Sequence, residues 1–143
     1  MTDVSQNMRL PRPTDRLADC VWLPRIIEKA RQLQAEALPE EYAARFCHAS
    51  GVDGQFMAFF SLKKEELLTV SKRSDEEVAE WFLSSADRKS RIQEWNRIGV
   101  NLGRPGFPMA ERFPFALSTT YKHLAGQKFE TVFQVLEADE KNG

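Results

Sequence analysis

The sequence predicts an all-α protein, folded as a single irregular orthogonal bundle of six or seven short helices. Apolar residues recur at helical spacing in several segments, strand-like alternation is scarce, and Gly, Pro and Ser separate the segments. A length of 143 residues suits one hydrophobic core, and 42% apolar with 29% charged residues is ordinary for a globular protein. We expect one domain over residues 13–137, a flexible arm over 1–12 and a frayed acidic tail over 138–143.

The first long helix is predicted to begin at Pro24, whose missing N–H costs nothing in an opening turn, and to end near Gln34. Its apolar stripe contains Trp22, Ile26, Ala30 and Leu33. A shorter helical turn over 14–20 is expected to precede it. After Pro39 we expect a less regular segment over 40–54, which ends in the densest turn signal of the chain.

The starts of the next helices are predicted from capping residues. Asp53 is interpreted as the cap of a short, very hydrophobic helix, and Ser61 as the cap of the helix that follows. Ser74 gives the clearest signal, because Glu77 three residues later completes a capping box.

The rest of the chain is predicted to form three more helical segments, two of them in its last third. A helix over 88–101 is followed by Gly103 as a left-handed stop. A second apolar stripe over 109–124 contains Pro114, which is expected to bend or break it. A final helix is expected over 129–136.

Four short segments stand out from the rest of the chain. They are WLPRIIEKAR at 22–31, FCH at 46–48 with GVD at 51–53, EWN at 94–96 and NLGRPG at 101–106. In this order they resemble the motifs of an uncharacterised bacterial domain family, over roughly residues 12–137. The resemblance implies a helical, intracellular domain of unknown function, with no assigned catalytic or binding residues.

Charge and cysteine content exclude several classes of function. Twenty basic and twenty-one acidic residues give a net charge of -1, so no overall field attracts nucleic acid or an anionic membrane. No apolar run approaches the roughly 20 residues that cross a bilayer. Cys20 and Cys47 are too few for a secreted disulfide scaffold. We expect a cytoplasmic protein with free thiols that binds neither nucleic acid nor a membrane.

Cys47 and His48, with Asp53 close behind, form the candidate catalytic group. A thiolate beside an imidazole can act as a nucleophile with its base, although adjacent side chains usually point apart. The alternative interpretation is a small buried cysteine and a helix-capping aspartate. Cys20 and His123 complete the possible metal ligands, but their spacing is unlike that of a zinc site. We therefore predict no metal and no cofactor.

Two places are candidates for binding an acidic ligand. Arg25 and Lys29 lie on the charged face of the first long helix, which is either a solvated face or a site for a carboxylate. Arg104 lies between glycines in a loop that is either a plain helix stop or a clamp for a phosphate or carboxylate. Asn96 joins these three as an expected polar contact.

The leading hypothesis is a non-catalytic helical domain that binds a partner protein or a small acidic ligand. It rests on an ample core, balanced charge and the lack of a converging acid, base and nucleophile in the sequence pattern. The alternative is a small enzyme that uses Cys47 and a histidine in acyl or phosphoryl transfer. The sequence leaves the partner and the oligomeric state open.

Overall fold

The computed structural model describes residues 10–118, 121–124 and 128–142. Over these ranges the chain is mostly α-helical, which confirms the predicted fold class, with one 3-10 helix and one small sheet. In chain order the elements are β1 (Arg16–Leu17), β2 (Cys20–Val21), α1 (Leu23–Gln34), α2 (Glu40–Arg45), α3 (Val52–Phe60), α4 (Lys64–Val70), α5 (Asp75–Leu83), α6 (Ala86–Asn101), α7 (Phe113–Ser118), the 3-10 helix Lys122–Leu124, and α8 (Val132–Asn142).

The chain divides into two compact units, with the boundary inside α6. Residues up to Trp95 form the first unit, and residues from Asn96 onward form the second. The single domain expected over 13–137 stays a prediction.

The segment 14–20 forms a β-hairpin rather than the expected helical turn. The two strands are antiparallel, with Leu17 opposite Cys20. Between them, Ala18 and Asp19 both have positive φ, 54° and 62°, which is the backbone of a two-residue type I′ turn. The prediction was wrong because neither turn residue is Gly or Asn, so the sequence lacks the usual hairpin signal.

Helix α1 begins as predicted, with Pro24 in its first turn. Its apolar face is buried, and the helix packs against α4. Near its end, Arg31 Nε donates to the carbonyl of Ser71 at 2.9 Å, and Gln34 Nε2 donates to that of Leu68 at 3.1 Å. The last carbonyls of a helix have no hydrogen-bond partner within it, and these two bonds supply partners at the C-terminal end of α4.

Three expectations about the segment 39–63 are corrected. Pro39 precedes a regular helix, α2, rather than an irregular segment. Helix α3 follows Gly51 without a side-chain cap, so Asp53 lies inside its first turn and does not cap it. Ser61 ends α3 with a φ of 56°, and Lys63 is the N-cap of α4. Gly51 is the N-cap of α3 and Lys63 is the N-cap of α4, so neither Asp53 nor Ser61 caps a helix start.

The capping box before α5 is confirmed. The hydroxyl of Ser74 accepts from the Glu77 amide at 3.2 Å, and the Glu77 carboxylate accepts from the Ser74 amide at 3.4 Å. At the other end of α5, the guanidinium of Arg88 donates to the carbonyls of Trp81 and Phe82 at 2.6 and 2.9 Å. This cation at a helix C-terminus fixes the turn into α6.

The core of the first unit is aromatic. The ring of Phe56 lies 5.3 Å from that of Trp95, and the ring of Phe60 lies 5.0 Å from that of Phe82. All four side chains are buried. The indole N–H of Trp95 donates to the carbonyl of Val21 at 2.9 Å, which joins the hairpin to this core.

In the second unit, Gly103 has the predicted left-handed backbone, with a φ of 95°. A Cβ there would lie 3.3 Å from both the Phe113 ring and the Val132 side chain, so the glycine also allows close packing. Helix α7 begins only at Phe113, with Pro114 in its first turn, rather than extending over 109–124. Helix α8 reaches Asn142, so residues 138–142 are helical where a frayed tail was expected.

Candidate functional site

The carboxylate of Asp53, in the first turn of α3, is only 2% exposed and accepts bonds from three directions. The indole N–H of Trp22 donates to Oδ1 at 2.7 Å, and the backbone N–H of Cys47 donates to Oδ2 at 3.0 Å. The ammonium nitrogen of Lys29 lies 3.4 Å from Oδ1 and 3.5 Å from Oδ2. We name Trp22, Lys29, Cys47 and Asp53 the Asp53 cluster.

The loop before α3 approaches Asp53 because residue 54 is glycine. A Cβ on Gly54 would lie 2.5 Å from the carbonyl oxygen of His48 and 2.6 Å from that of Ala49. These distances are too short for any other residue without a backbone shift. The loop can therefore cross the first turn of α3, which puts the amide of Cys47 within reach of the carboxylate.

Trp22 contributes its ring as well as its N–H. The guanidinium carbon of Arg25 lies 5.2 Å from the ring centroid, and the ammonium nitrogen of Lys29 lies 4.9 Å from it. Cation–π contacts of this kind contribute about 2 kcal/mol each when they are desolvated. Arg25 also donates to the carbonyl of Pro11 at 3.0 Å, so part of the expected N-terminal arm is bound to α1.

Two cations on the predicted charged face of α1 are buried rather than solvated. Arg25 is 1% exposed and Lys29 is 6% exposed. Buried charges of this kind need a partner, and here each has one within the chain. Lys29 therefore belongs to an internal network with Asp53, and the solvated-face interpretation is wrong for both Arg25 and Lys29.

The thiol of Cys47 is a poor nucleophile in this position. Burial and the nearby charge of Asp53 raise its pKa to about 12, so it is protonated at neutral pH. The adjacent His48 is exposed, and its Nδ1 is engaged by Ser50, which approaches through its amide at 3.1 Å and its hydroxyl at 2.8 Å. Both findings oppose a Cys47–His48 nucleophile and base.

Cys20 and His123 are the other possible metal ligands. Cys20 is fully buried, and burial raises the pKa of its thiol. His123 is exposed, and its Nε2 lies 2.6 Å from the carboxylate of Asp139. Among the residues that the structure describes, no group of three His, Cys, Asp or Glu could hold a metal ion.

The remaining two predicted site residues belong to the second unit. Asn96 is buried in α6. Arg104 is half-exposed and forms an ion pair with Glu130 at 2.8 Å. The structure thus brings Lys29, Cys47 and Asp53 together, whereas it gives Arg104 a separate carboxylate partner.

The sequence interpretation missed an apolar surface in the second unit. Phe107, Met109 and Phe113 are half-buried and Phe115 is 69% exposed; we name the segment 107–115 that contains them the aromatic surface. Phe115 is the most exposed large hydrophobic side chain in the described part of the chain. The signal for it was the run of prolines at 105, 108 and 114 between aromatic residues, which a buried helical stripe would not contain.

Comparison with models of protein families identifies the family of this chain. The model of DUF5069, a domain of unknown function, matches residues 7–142. The chain belongs to this family. No curated protein and no solved structure matches it. In this DUF5069 chain, no helix of the described ranges is long and apolar enough to cross a membrane.

The Asp53 cluster joins two segments of this DUF5069 domain that are distant in sequence. The segment 22–31 supplies Trp22 and Lys29, and the segment 46–53 supplies Cys47 and Asp53. Trp22 and Lys29 of the first segment bond to Asp53 of the second inside the first unit. These contacts give Trp22, Lys29 and Asp53 a structural role within the chain.

Proposed function

We propose that this DUF5069 domain is a non-catalytic binding domain whose aromatic surface contacts a partner protein. The observation that carries the proposal is the 69% exposure of Phe115. Full burial of a phenylalanine side chain stabilises a protein by about 1.5–3 kcal/mol, a gain that the isolated chain forgoes at this position.

The aromatic surface is supported by rigid neighbours. Phe113 packs against Gly103, and the Gly103 amide donates to the carbonyl of Pro108 at 3.0 Å. The amide of Phe107 donates to the carbonyl of Arg104 at 3.0 Å. A surface that is already ordered loses little conformational entropy on binding, which favours its use as an interface.

The first unit offers less support for a binding site. The charges of Arg25 and Lys29 are used within the chain, by Pro11 and Asp53. An external carboxylate would have to displace these contacts and enter a buried region. The proposal therefore moves the binding site from these two residues to the second unit. The raised pKa of Cys47 counts against the alternative enzyme, because a protonated thiol is a weak nucleophile.

The proposal also includes a cellular setting. We place the domain in the cytoplasm of a bacterium, where a reducing environment keeps thiols free. Both cysteines of the chain are free, which is consistent with this setting. The bacterial source rests on the four sequence segments alone.

The test compares two surface variants of the full chain. Phe115→Ser removes the exposed ring from the aromatic surface, and Leu83→Ser removes a 38% exposed side chain from the first unit as a matched control. Immobilised wild-type protein and both variants are incubated with an extract of the source organism, and the retained proteins are quantified by mass spectrometry.

We expect a defined protein to be retained by the wild type and by Leu83→Ser, and to be lost from Phe115→Ser. Circular dichroism must show equal helicity in all three proteins. If the retained set is the same for the three proteins, the aromatic surface is not the binding site and the proposal fails.

A further inference from the structure

His123 and Asp139 join two elements of the second unit that are distant in sequence. Nε2 of His123, in the 3-10 helix Lys122–Leu124, lies 2.6 Å from Oδ1 of Asp139 in α8, 16 residues further along the chain. We propose that this contact is a pH-sensitive attachment. It holds the 3-10 helix to the C-terminal part of α8 through an ion pair when His123 is protonated, and it weakens when the imidazole is neutral.

The pH dependence follows from the chemistry of the two groups. The charge of a histidine changes between about pH 5 and 8, a range in which carboxylates are ordinarily ionised. Protonation adds an ion pair to the hydrogen bond between Nε2 and the carboxylate, and hydrogen bonds between ionised groups are the stronger ones. Because the pair forms only in the folded chain, protonation and attachment favour each other. The attachment is therefore strongest in acid and weakens as the pH rises.

The end of α8 favours a cation at this position. Asp139 lies in the last turn of the helix, which ends at Asn142. The C-terminal end of a helix carries a partial negative charge, so carboxylates are disfavoured there and cations are stabilising. The segment 137–142 nevertheless contains three acidic residues and one lysine. A protonated His123 offsets part of this negative charge.

The other described neighbours of His123 add no competing charge. The centroid of the Tyr121 ring lies 6.3 Å from that of the imidazole. Helix α7, which packs against the 3-10 helix, has the sequence FPFALS and contains no titratable residue. Of the described side chains, Asp139 is therefore the charged group that the structure places against His123.

Burial limits what the loss of the ion pair can change. Leu124, next to His123, is only 2% exposed, whereas the side chains of His123 and Asp139 are 51% and 29% exposed. The buried leucine anchors the 3-10 helix whether or not the imidazole is charged. A weaker ion pair therefore loosens the end of α8 and leaves the 3-10 helix in place.

A double-mutant cycle at two pH values tests the attachment. Urea unfolding of the full chain is measured for wild type, His123→Gln, Asp139→Asn and the double variant, at about pH 5.5 and at about pH 8. The cycle isolates the coupling between the two side chains. A control cycle combines Asp139→Asn with His48→Gln, since His48 is the other histidine of the chain and bonds to Ser50 in the first unit.

We expect the coupling between His123 and Asp139 to change the unfolding equilibrium constant about threefold at the lower pH, an effect typical of exposed ion pairs. At the higher pH the coupling should be much smaller, and the control cycle should show none at either pH. Equal coupling at both pH values, no coupling at either, or a larger coupling at the higher pH would overturn the proposal.

NMR spectra of the backbone amides provide a second test that requires no unfolding. In the wild type, the amide shifts of residues around Asp139 in α8 should follow the protonation of His123 as the pH is changed. In His123→Gln this response should disappear. Shifts that do not respond in the wild type, or that respond equally in the variant, would show that the end of α8 is independent of His123.

Discussion

Trp22 and Asp53 lie 31 residues apart in the chain, and the indole N–H of Trp22 donates to the buried carboxylate of Asp53 at 2.7 Å. Two of the residues that bond to this carboxylate have left-handed backbones, with a φ of 73° at Trp22 and 58° at Cys47. Such conformations cost about 1–2 kcal/mol for residues other than glycine. The carboxylate of Asp53 therefore holds two strained positions in place.

The first prediction concerns the buried pair of Lys29 and Asp53. Asp53→Asn leaves the Lys29 ammonium without its charged partner, and Lys29→Met leaves the carboxylate without its cation. Each change should lower the free energy of unfolding by about 3–5 kcal/mol, since an uncompensated buried charge is costly. Urea denaturation followed by circular dichroism measures the loss.

The double variant should lose less than the sum of the single losses, because it contains neither buried charge. Asp75→Asn is the matched control: Asp75 pairs with Arg31 at 2.9 Å, but its side chain is 69% exposed. That change should cost less than about 1 kcal/mol. Additive losses in the double variant would show that the two charges are not coupled.

The second prediction compares Gly54, in the first turn of α3, with Gly51, the N-cap of the same helix. Gly54→Ala should destabilise the protein by about 1–3 kcal/mol, because its Cβ would meet backbone oxygens that cannot move independently. Gly51→Ala should cost less than about 1 kcal/mol, because its Cβ would meet only the His48 carbonyl at 3.7 Å. Thermal unfolding of both variants measures the difference; equal midpoints would contradict the close approach at Gly54.

The third prediction concerns the hairpin turn. Ala18 has a φ of 54°, so Ala18→Gly should relieve strain and stabilise the protein by about 0.5–1 kcal/mol. The same change at Ala58, an exposed residue within α3, should destabilise it by about 1 kcal/mol. Opposite shifts of the two urea midpoints are expected. A destabilised Ala18→Gly variant would show that the turn is not of type I′.

The fourth prediction uses the raised pKa of Cys47, about 12. In a Cys20→Ser background, iodoacetamide should alkylate the native Cys47 far more slowly at neutral pH than a free cysteine. Between the unfolded pKa of about 8.5 and the folded value, the unfolded state binds fewer protons, so stability should fall as pH rises. Cys47→Ser should flatten this alkaline decline. Rapid alkylation at neutral pH would instead restore the enzyme hypothesis.

The helices could be predicted where local signals decide them. Pro24 and the Ser74–Glu77 box define helix starts through bonds within one turn, so periodicity and capping were sufficient. Prediction failed at Ala18 and Asp19, because a type I′ turn without Gly or Asn leaves little trace in the sequence. It failed again at Asp53, because a side chain at a plausible capping position can be recruited by distant donors.

The candidate site could be predicted only in part. Lys29, Cys47 and Asp53 were each selected for their chemistry, yet their contacts depend on how the loop at 47–50 crosses α3. The path of this loop across α3 is a tertiary feature, which the spacing of residues in the sequence does not predict. Trp22 was assigned to the apolar stripe, and the sequence does not show that its indole N–H donates to Asp53.

The central claim is that Asp53 is the buried acceptor that holds Trp22 and the Cys47 loop. Hydrogen exchange of the indole and amide N–H groups, measured by NMR in the wild type and Asp53→Asn, tests it most directly. We predict slow exchange at the Trp22 indole and the Cys47 amide in the wild type, and faster exchange at both in the variant. The Trp95 indole, which donates to Val21, should change little. Fast wild-type exchange at Trp22, or rates that the variant leaves unchanged, would contradict the claim.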